Sequence, residues 1–386
     1  MPLAPILAGL TAAVVGCGGS IAIVLAATDA LKATPGQTAS WITALCFAMA
    51  ATTALLSLWH RLPIITAWST PGAALIAASG GGVGMDAGVG AFIAAAALIL
   101  LAAMVRPLTR LIETIPTPIA AAMLAGVLLR LVMAPFEAIP SAPLLIVPLM
   151  AMFLVVRLMA PSLAVIAVLI AGTTLASTLG MMKPLPPLAF AQLEWVTPVF
   201  DPAVVLGLGV PLFLVTMASQ NLAGFAVLRA SGYQEVPTRS ILGVTGLASL
   251  LTAPFGAHTS NLAAISAAIC TGPDAHPDPR QRWWAGPPYA LAYLAFGLAG
   301  PSLVGLFAAL PSALVQTVAG LALAGPMIAA LGAAFGTSDD RFAPGLTFAV
   351  TASGVAMFGV GSAFWGLLAG LLAYGLAGLT SRNRER

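Results

Sequence analysis

Long apolar runs, separated by short knots of Pro, Gly and Arg, set the pattern of this chain. Ala87–Val105 and Leu144–Val156, for example, carry no charge, and a helix needs about 20 mostly apolar residues to cross a bilayer. Read between these punctuation marks, the pattern predicts spans near 5–28, 39–58, 64–79, 86–106, 117–134, 141–159 and 161–181 in the first half. The second half predicts spans near 200–228, 237–253, 254–271, 284–304, 307–334, 343–359 and 362–380. The expected fold is an all-α polytopic membrane protein of 14 spans arranged seven plus seven.

Two of these runs, 64–79 and 254–271, are too short and too polar at their starts to be ordinary crossings. Ile64–Ser69 follows Pro63 and is rich in β-branched residues, so it reads as extended, whereas Thr70-Pro71-Gly72-Ala73-Ala74-Leu75-Ile76 reads as a helix start. Ser69 or Thr70 can cap that helix, and Pro71 suits its first turn, where its missing N–H would be unpaired anyway. Likewise Pro254–His258 reads as extended and broken by Gly256, with Thr259, Ser260 and Asn261 as capping residues before the apolar helix Leu262–Cys270. The expected elements are thus short strand-then-helix segments at spans 3 and 10.

Irregular backbone at membrane depth is tolerated only where protein buries it or a cavity borders it. Each half-helix start offers unpaired N–H groups and the positive end of its dipole, so two facing starts suit a small anion; kinks of purely structural origin are the alternative. Nearby, Ser219-Gln220-Asn221 interrupts the apolar stretch Val215–Phe225, and buried amides must find a ligand or a packing partner. Trp68 and Phe255 either stack on an aromatic guest or pack. His258 is the one side chain near mid-membrane whose ordinary pKa, about 6.5, suits a proton carrier; a neutral ring fixed by hydrogen bonds is the equal alternative. The acids, among them Asp29, Asp86, Glu113, Asp201, Asp274 and Asp339, fall near span ends or in loops.

Composition sharpens the picture. Hydrophobic residues make up 60% and charged residues 7%, against roughly 25% charged in soluble domains, so water is not the main solvent of this surface. The net charge of +3 is scattered rather than gathered in a patch, which excludes nucleic acid as a partner. Cys17, Cys46 and Cys270 stand singly in apolar runs, without metal-ligand spacing. No cleavable leader is read at the N-terminus, and no nucleophile, base or metal constellation is found, so neither an enzyme nor a cofactor or metal is expected. With the N-terminus cytoplasmic, all of the 15 Lys and Arg residues but Lys32, Arg130 and Lys183 fall in cytoplasmic loops or the C-terminal tail. Both termini are therefore expected in the cytoplasm.

Seven spans per half require the second half to enter the membrane inverted. Faint similarity supports this: Ile115-Pro116-Thr117 matches Leu310-Pro311-Ser312, Ala125-Gly126 matches Ala319-Gly320, and Ser69-Thr70-Pro71 matches His258-Thr259-Ser260.

Three stretches carry a family resemblance: Ile65-Thr66-Ala67-Trp68-Ser69-Thr70-Pro71-Gly72-Ala73-Ala74-Leu75, Ser219-Gln220-Asn221-Leu222-Ala223-Gly224-Phe225, and Pro254-Phe255-Gly256-Ala257-His258-Thr259-Ser260-Asn261-Leu262-Ala263-Ala264-Ile265. The chain resembles the benzoate:proton symporter (BenE) family over nearly its whole length. That family is similar in fold to nucleobase carriers and to sulfate and bicarbonate transporters. The resemblance implies a core domain of residues 1–110 and 197–305 moving against a gate domain of residues 111–196 and 306–386, the gate often forming a homodimer. Nucleobase carriers of this fold usually place acids in spans eight and ten, where this chain has Gln220, Asn221 and His258.

Together these readings lead us to expect a secondary transporter of the inner (plasma) membrane that imports benzoate or a similar aromatic carboxylate with protons. The substrate-binding residues expected are Trp68, Ser69, Thr70, Gln220, Asn221, Phe255, His258, Thr259, Ser260 and Asn261, with His258 the proton-coupling candidate. A carrier for another small anion or a nucleobase, and a small-anion channel of the same fold, are the alternatives.

Overall fold

The structure is a computed structural model that describes residues 3–105, 116–160, 163–185, 187–233, 235–263, 265–273, 275–336, 341–358 and 360–384. Glu113, Ile115, Ala264, Asp274 and Asp339 lie outside the described residues. In chain order the helices are α1 (Leu3–Ala30), α2 (Pro35–His60), α3 (Thr70–Ser79), α4 (Met85–Met104), α5 (Thr117–Ala138), α6 (Pro143–Met159), α7 (Ala164–Thr178) and α8 (Pro202–Arg229). They continue as α9 (Thr238–Thr252), α10 (Ile265–Thr271), α11 (Gly286–Leu298), α12 (Gly300–Ala309), α13 (Ser312–Phe335), α14 (Phe342–Ala352) and α15 (Ser362–Arg384). Strands β1 (Thr66–Trp68) and β2 (Ser260–Leu262) precede α3 and α10.

By length and hydropathy, α1, α2, α4, α5, α8 and α13 can each cross a bilayer, and α11 with α12, bent by 65°, make a seventh such unit. The chain is an integral membrane protein of mostly helical fold. Local chemistry sets several helix starts. Thr34 and Gln37 form a reciprocal capping box at the start of α2, next to Pro35, and Asp201 caps α8 through the Ala203 N–H.

Packing falls into neighbourhoods. α2 lies against α9 and α11, α1 against α3, α10 and α11, and α4 against α9. Elsewhere α5 packs against α13, α14 and α15, while α6 and α7 pack on each other and on α13. Small residues bring backbones together, as expected where lipid removes most of the hydrophobic drive between helices. Gly366 and Gly370 of α15 sit against Thr351 and Thr347 of α14 so closely that a Cβ would collide. Contacts of α3 with α5, and of α1 with α13, join the two neighbourhoods.

The linker before α8 is an extended strap. The Lys183 N–H reaches the Ala309 carbonyl, Ala191 reaches Leu298, Val196 reaches Pro254 and Val199 reaches Asp86, all at 2.8–3.1 Å, while the Glu194 N–H donates to Ser40 Oγ at 2.8 Å. It therefore ties together the starts of α2 and α4 and the ends of α9, α11 and α12. Gly90 lets it approach, because a Cβ there would meet the Val199 carbonyl.

Three expected boundaries shift. The run expected as 284–304 breaks at Ala299 and continues as α12, and the next helix begins at Ser312 rather than 307, because Leu310 is extended and Pro311 lacks an N–H to donate. The run expected to 359 ends at Ala352, where Gly354 takes φ +69° and Met357 bridges back to Val360.

Candidate functional site

The two interrupted segments meet edge to edge. β1 and β2 pair antiparallel with Thr66 opposite Leu262, Ala67 opposite Asn261 and Trp68 opposite Ser260. The Ser69 N–H to the Thr259 carbonyl (3.0 Å) and the Ala263 N–H to the Ile65 carbonyl (2.8 Å) extend the ladder. A two-stranded ribbon is marginal by itself, and its outer edges must be satisfied where water is absent.

Side chains from four helices meet that demand. Thr53 Oγ1 of α2 accepts from the Thr66 N–H at 3.0 Å, Ser249 Oγ of α9 from the Ser260 N–H at 2.8 Å, and Asn221 Oδ1 of α8 from the Leu262 N–H at 3.0 Å. Tyr289 Oη of α11 donates to the Thr66 carbonyl at 2.9 Å. Asn221, expected to bind substrate, is thus committed to the edge of β2.

Alternation gives the ribbon two faces. On one, the Thr66 hydroxyl lies 2.7 Å from those of Thr52 and Thr53, and the Trp68 indole N–H donates to Ser20 Oγ at 2.8 Å with its ring edge-on to Tyr293. On the other face stand Ala67, Ser69, Thr259 and Asn261. Thr216 Oγ1 donates to Ser69 Oγ at 3.0 Å and lies 2.8 Å from Thr259 Oγ1, so α8 clasps both segments through one hydroxyl. Ser69 also caps α3, accepting from the Gly72 N–H at 3.1 Å. All of these hydroxyls are buried, while Ala67, Thr70 and Gln220 stay partly exposed.

α8 carries Thr216 where its backbone widens into a π-helical turn, Thr216–Asn221. Such turns are rare and recur at functional sites.

His258 bridges two elements. The Trp41 indole N–H donates to its Nδ1 at 3.0 Å, and its Nε2 lies 3.1 Å from the Ser69 carbonyl. An indole N–H only donates and a carbonyl only accepts, so Nδ1 is bare and Nε2 carries the hydrogen. The ring is held as a neutral imidazole with both nitrogens engaged.

Two expectations need correction. Thr259, Ser260 and Asn261 do not cap a helix: Ser260–Leu262 is strand, and α10 starts at Ile265, because pairing with β1 satisfies this backbone instead. The two segments accordingly meet as paired strands, with α3 starting at Thr70 as expected and α10 starting at Ile265. The run 254–258 is a turn, not an extended segment: Ala253–Phe255 form a 3₁₀ turn closed by Gly256 at φ +92°, a left-handed conformation that glycine adopts at little cost. Phe255 packs edge-on against Trp195 of the strap, and its carbonyl accepts from Ser40 Oγ.

Thr216 and Trp41 escaped the sequence reading. The signal available for Thr216 was its place four residues before Gln220, on the same helical face. Two clefts of about 730 and 680 Å³ lie at the ends of α2 and α8, lined by His60, Tyr233 and Pro237 and by Arg61, Trp283 and Trp284; neither includes a ribbon residue. Among the described residues, Ser260 Oγ and Asn261 Oδ1 are buried with no hydrogen-bond partner.

The chain is 40% identical over 392 residues to the inner membrane protein YdcO of Escherichia coli (strain K12), covering 100% of this chain and 98% of that protein. It is 34% identical over 373 residues to the benzoate membrane transport protein of Acinetobacter baylyi (strain ATCC 33305 / BD413 / ADP1), covering 96% and 94%. Its fold is similar to the transmembrane domain of the cyanobacterial bicarbonate transporter BicA, with a TM-score of 0.59 at 15% identity over 95% of this chain and 97% of that one. It is also similar to SLC26A9, with a TM-score of 0.62 at 13% identity over 98% of this chain and 65% of that one. The model of the family described as benzoate membrane transport protein, BenE, matches residues 1–376, and the chain, a membrane transporter and not an enzyme, belongs to that family.

Proposed function

We propose that this protein is a secondary active transporter that imports benzoate, or a similar aromatic carboxylate, together with protons. The observation that carries the reading is the ribbon: two broken segments, far apart in sequence, pair in the protein interior and gather the hydroxyls of Ser69, Thr216 and Thr259 on one face. The carboxyl group binds at that face, against Ser69, Thr70 and Thr259, with Gln220 at its margin. The hydroxyls of Ser69 and Thr259 are both bonded to Thr216, so the groups left for a guest are those that these bonds do not use. Trp68 supports β1 from behind, and His258 positions Ser69 through its carbonyl. His258 stands here as a positioning residue, since taking a proton on Nδ1 would break its bond to Trp41.

The two packing neighbourhoods support a reading of alternating access. Residues 1–110 and 197–305 act as the core that carries the ribbon, and residues 111–196 and 306–386 act as the gate, through which a homodimer forms. The strap supports 14 spans in a seven-plus-seven inverted repeat, because it touches the starts of α2 and α4 and the ends of α9 and α11, the ends that such a path puts on one side. Both termini then lie in the cytoplasm, which the distribution of Lys and Arg supports.

The test is uptake of labelled benzoate into proteoliposomes under an imposed pH gradient. Thr259→Ala and Ser69→Ala should each weaken apparent affinity; unchanged affinity in both removes the substrate from this face. Current without accumulation against a gradient would instead identify a channel.

A further inference from the structure

The ribbon face has a hydrogen-bonding pattern that an anion does not match. Asn261 Nδ2 donates to the Leu262 carbonyl at 2.9 Å, which fixes the amide, since flipping it would set Oδ1 against that carbonyl oxygen. Oδ1 is therefore an acceptor, and it is buried without a donor. Asn261 pairs with Ala67, which is partly exposed, whereas Thr66 and Trp68 of the opposite face are buried. Ser69, on the same face, has the opposite need. Its oxygen accepts from the Gly72 N–H and the Thr216 hydroxyl, and among the described residues its own proton has no acceptor.

The site thus leaves one unpaired acceptor and one unpaired donor. A carboxylate only accepts and would be repelled by Asn261 Oδ1; a carboxylic acid supplies one acceptor and one donor. Among the described residues, the hydrogen bonds at this face come from no charged side chain. The elements packed around this face carry these titratable groups: His258 itself, Cys46 and His60 on α2, Arg229 on α8, Arg239 on α9, Cys270 on α10, Tyr289 and Tyr293 on α11, Cys17 and Asp29 on α1, Asp86 on α4, and Arg130 and Glu137 on α5. Asp29, His60, Asp86, Glu137, Arg229 and Arg239 stand in the first or last turn of their helices, Arg130 lies against Gly354, and His258 has both nitrogens engaged.

We propose that the co-transported proton rides on the substrate: the ribbon face binds the neutral carboxylic acid, its O–H donated to Asn261 Oδ1 and its carbonyl accepting from the Ser69 hydroxyl. This rests on the reading of the face as the substrate site. On the outer side, carboxylate and one proton from water combine into the O–H bond; on the inner side that bond breaks, and the proton returns to water with the anion. One proton crosses per molecule, and no net charge moves.

The test uses the unaltered protein in proteoliposomes, with labelled benzoate and two competitors of the same ring. Benzamide is neutral at all working pH values and offers one acceptor and N–H donors; benzenesulfonate remains an anion. Because only the protonated fraction binds, apparent benzoate affinity should fall about tenfold per pH unit above its ordinary carboxyl pKa of about 4. Benzamide should compete with an affinity that does not change with pH, benzenesulfonate should not compete, and an imposed membrane potential should leave the uptake rate unmoved. If benzenesulfonate competes as well as benzoate, or benzamide fails to compete while benzoate is imported, the proposal is overturned and the substrate reading stands. Absence of benzoate uptake altogether overturns both.

Discussion

Replacing Thr216 by Val isolates the hydroxyl that clasps the two broken segments, because Val keeps the branched shape and opens no cavity. Two hydrogen bonds disappear, at 3.0 and 2.8 Å, each with a net worth of about 1 kcal/mol. Ser69 keeps its bond from Gly72, so the orphaned group is the buried Thr259 hydroxyl, whose desolvation penalty of about 1–3 kcal/mol partly overlaps the lost bonds. The sum is about 2–3 kcal/mol, or roughly 30- to 150-fold in the equilibrium between clasped and open segments. For a chain of 386 residues that corresponds to a melting temperature lower by about 2–4 °C. The assay is thermal unfolding in detergent, followed by tryptophan fluorescence, alongside benzoate uptake. Thr216→Ser retains the hydroxyl and should recover most of the loss. A Val variant that melts within about 1 °C of the parent, or a Ser variant that falls as far as Val, would refute the reasoning.

Three further outcomes are expected. Gly224→Ala places a Cβ 2.6 Å from Leu262 Cγ and 2.9 Å from the Ala263 carbonyl; overpacking of about 1–3 kcal/mol should lower the melting temperature, whereas Gly243→Ala, with nothing within 4 Å, should not. His258→Gln keeps one donor and one acceptor for Ser69 and Trp41 and should still accumulate benzoate under a pH gradient, while His258→Phe strands both partners and should cut uptake about 100-fold or more, at about 1–3 kcal/mol for each orphan; a Gln variant that transports without coupling would return the proton to this ring. Gly370→Leu drives a side chain into Thr347 of α14 and should lower the yield of folded protein by fluorescence-detected gel filtration, with Gly375→Leu, which has open space, as the unaffected control.

Much of the helical layout was legible because lipid constrains sequence so tightly. A run such as 86–106 must bond its backbone internally to cross hydrocarbon, so its composition alone predicts α4 at Met85–Met104. Ser69, Pro71 and the β-branched stretch before them likewise announced a strand turning into a helix, since capping and proline geometry act within a few residues. The same local logic misread the second segment. Thr259, Ser260 and Asn261 have the chemistry of caps, yet the partner that claims their backbone is β1, about 190 residues away in sequence, and no local preference records such a partner.

The sequence by itself determined that this chain lives in a membrane, where most of its helices begin and end to within a few residues, and that its two polar interruptions are singular. Only the tertiary structure decided what those interruptions do with their hydrogen bonds. Asn221 was spent on the β2 edge, His258 was locked between Trp41 and Ser69, and Thr216 became the link among three segments. The physical reason is that burial in hydrocarbon makes every polar group find a partner, while the identity of that partner is set by which segments pack together, a fact spread over the whole chain rather than written beside any one residue.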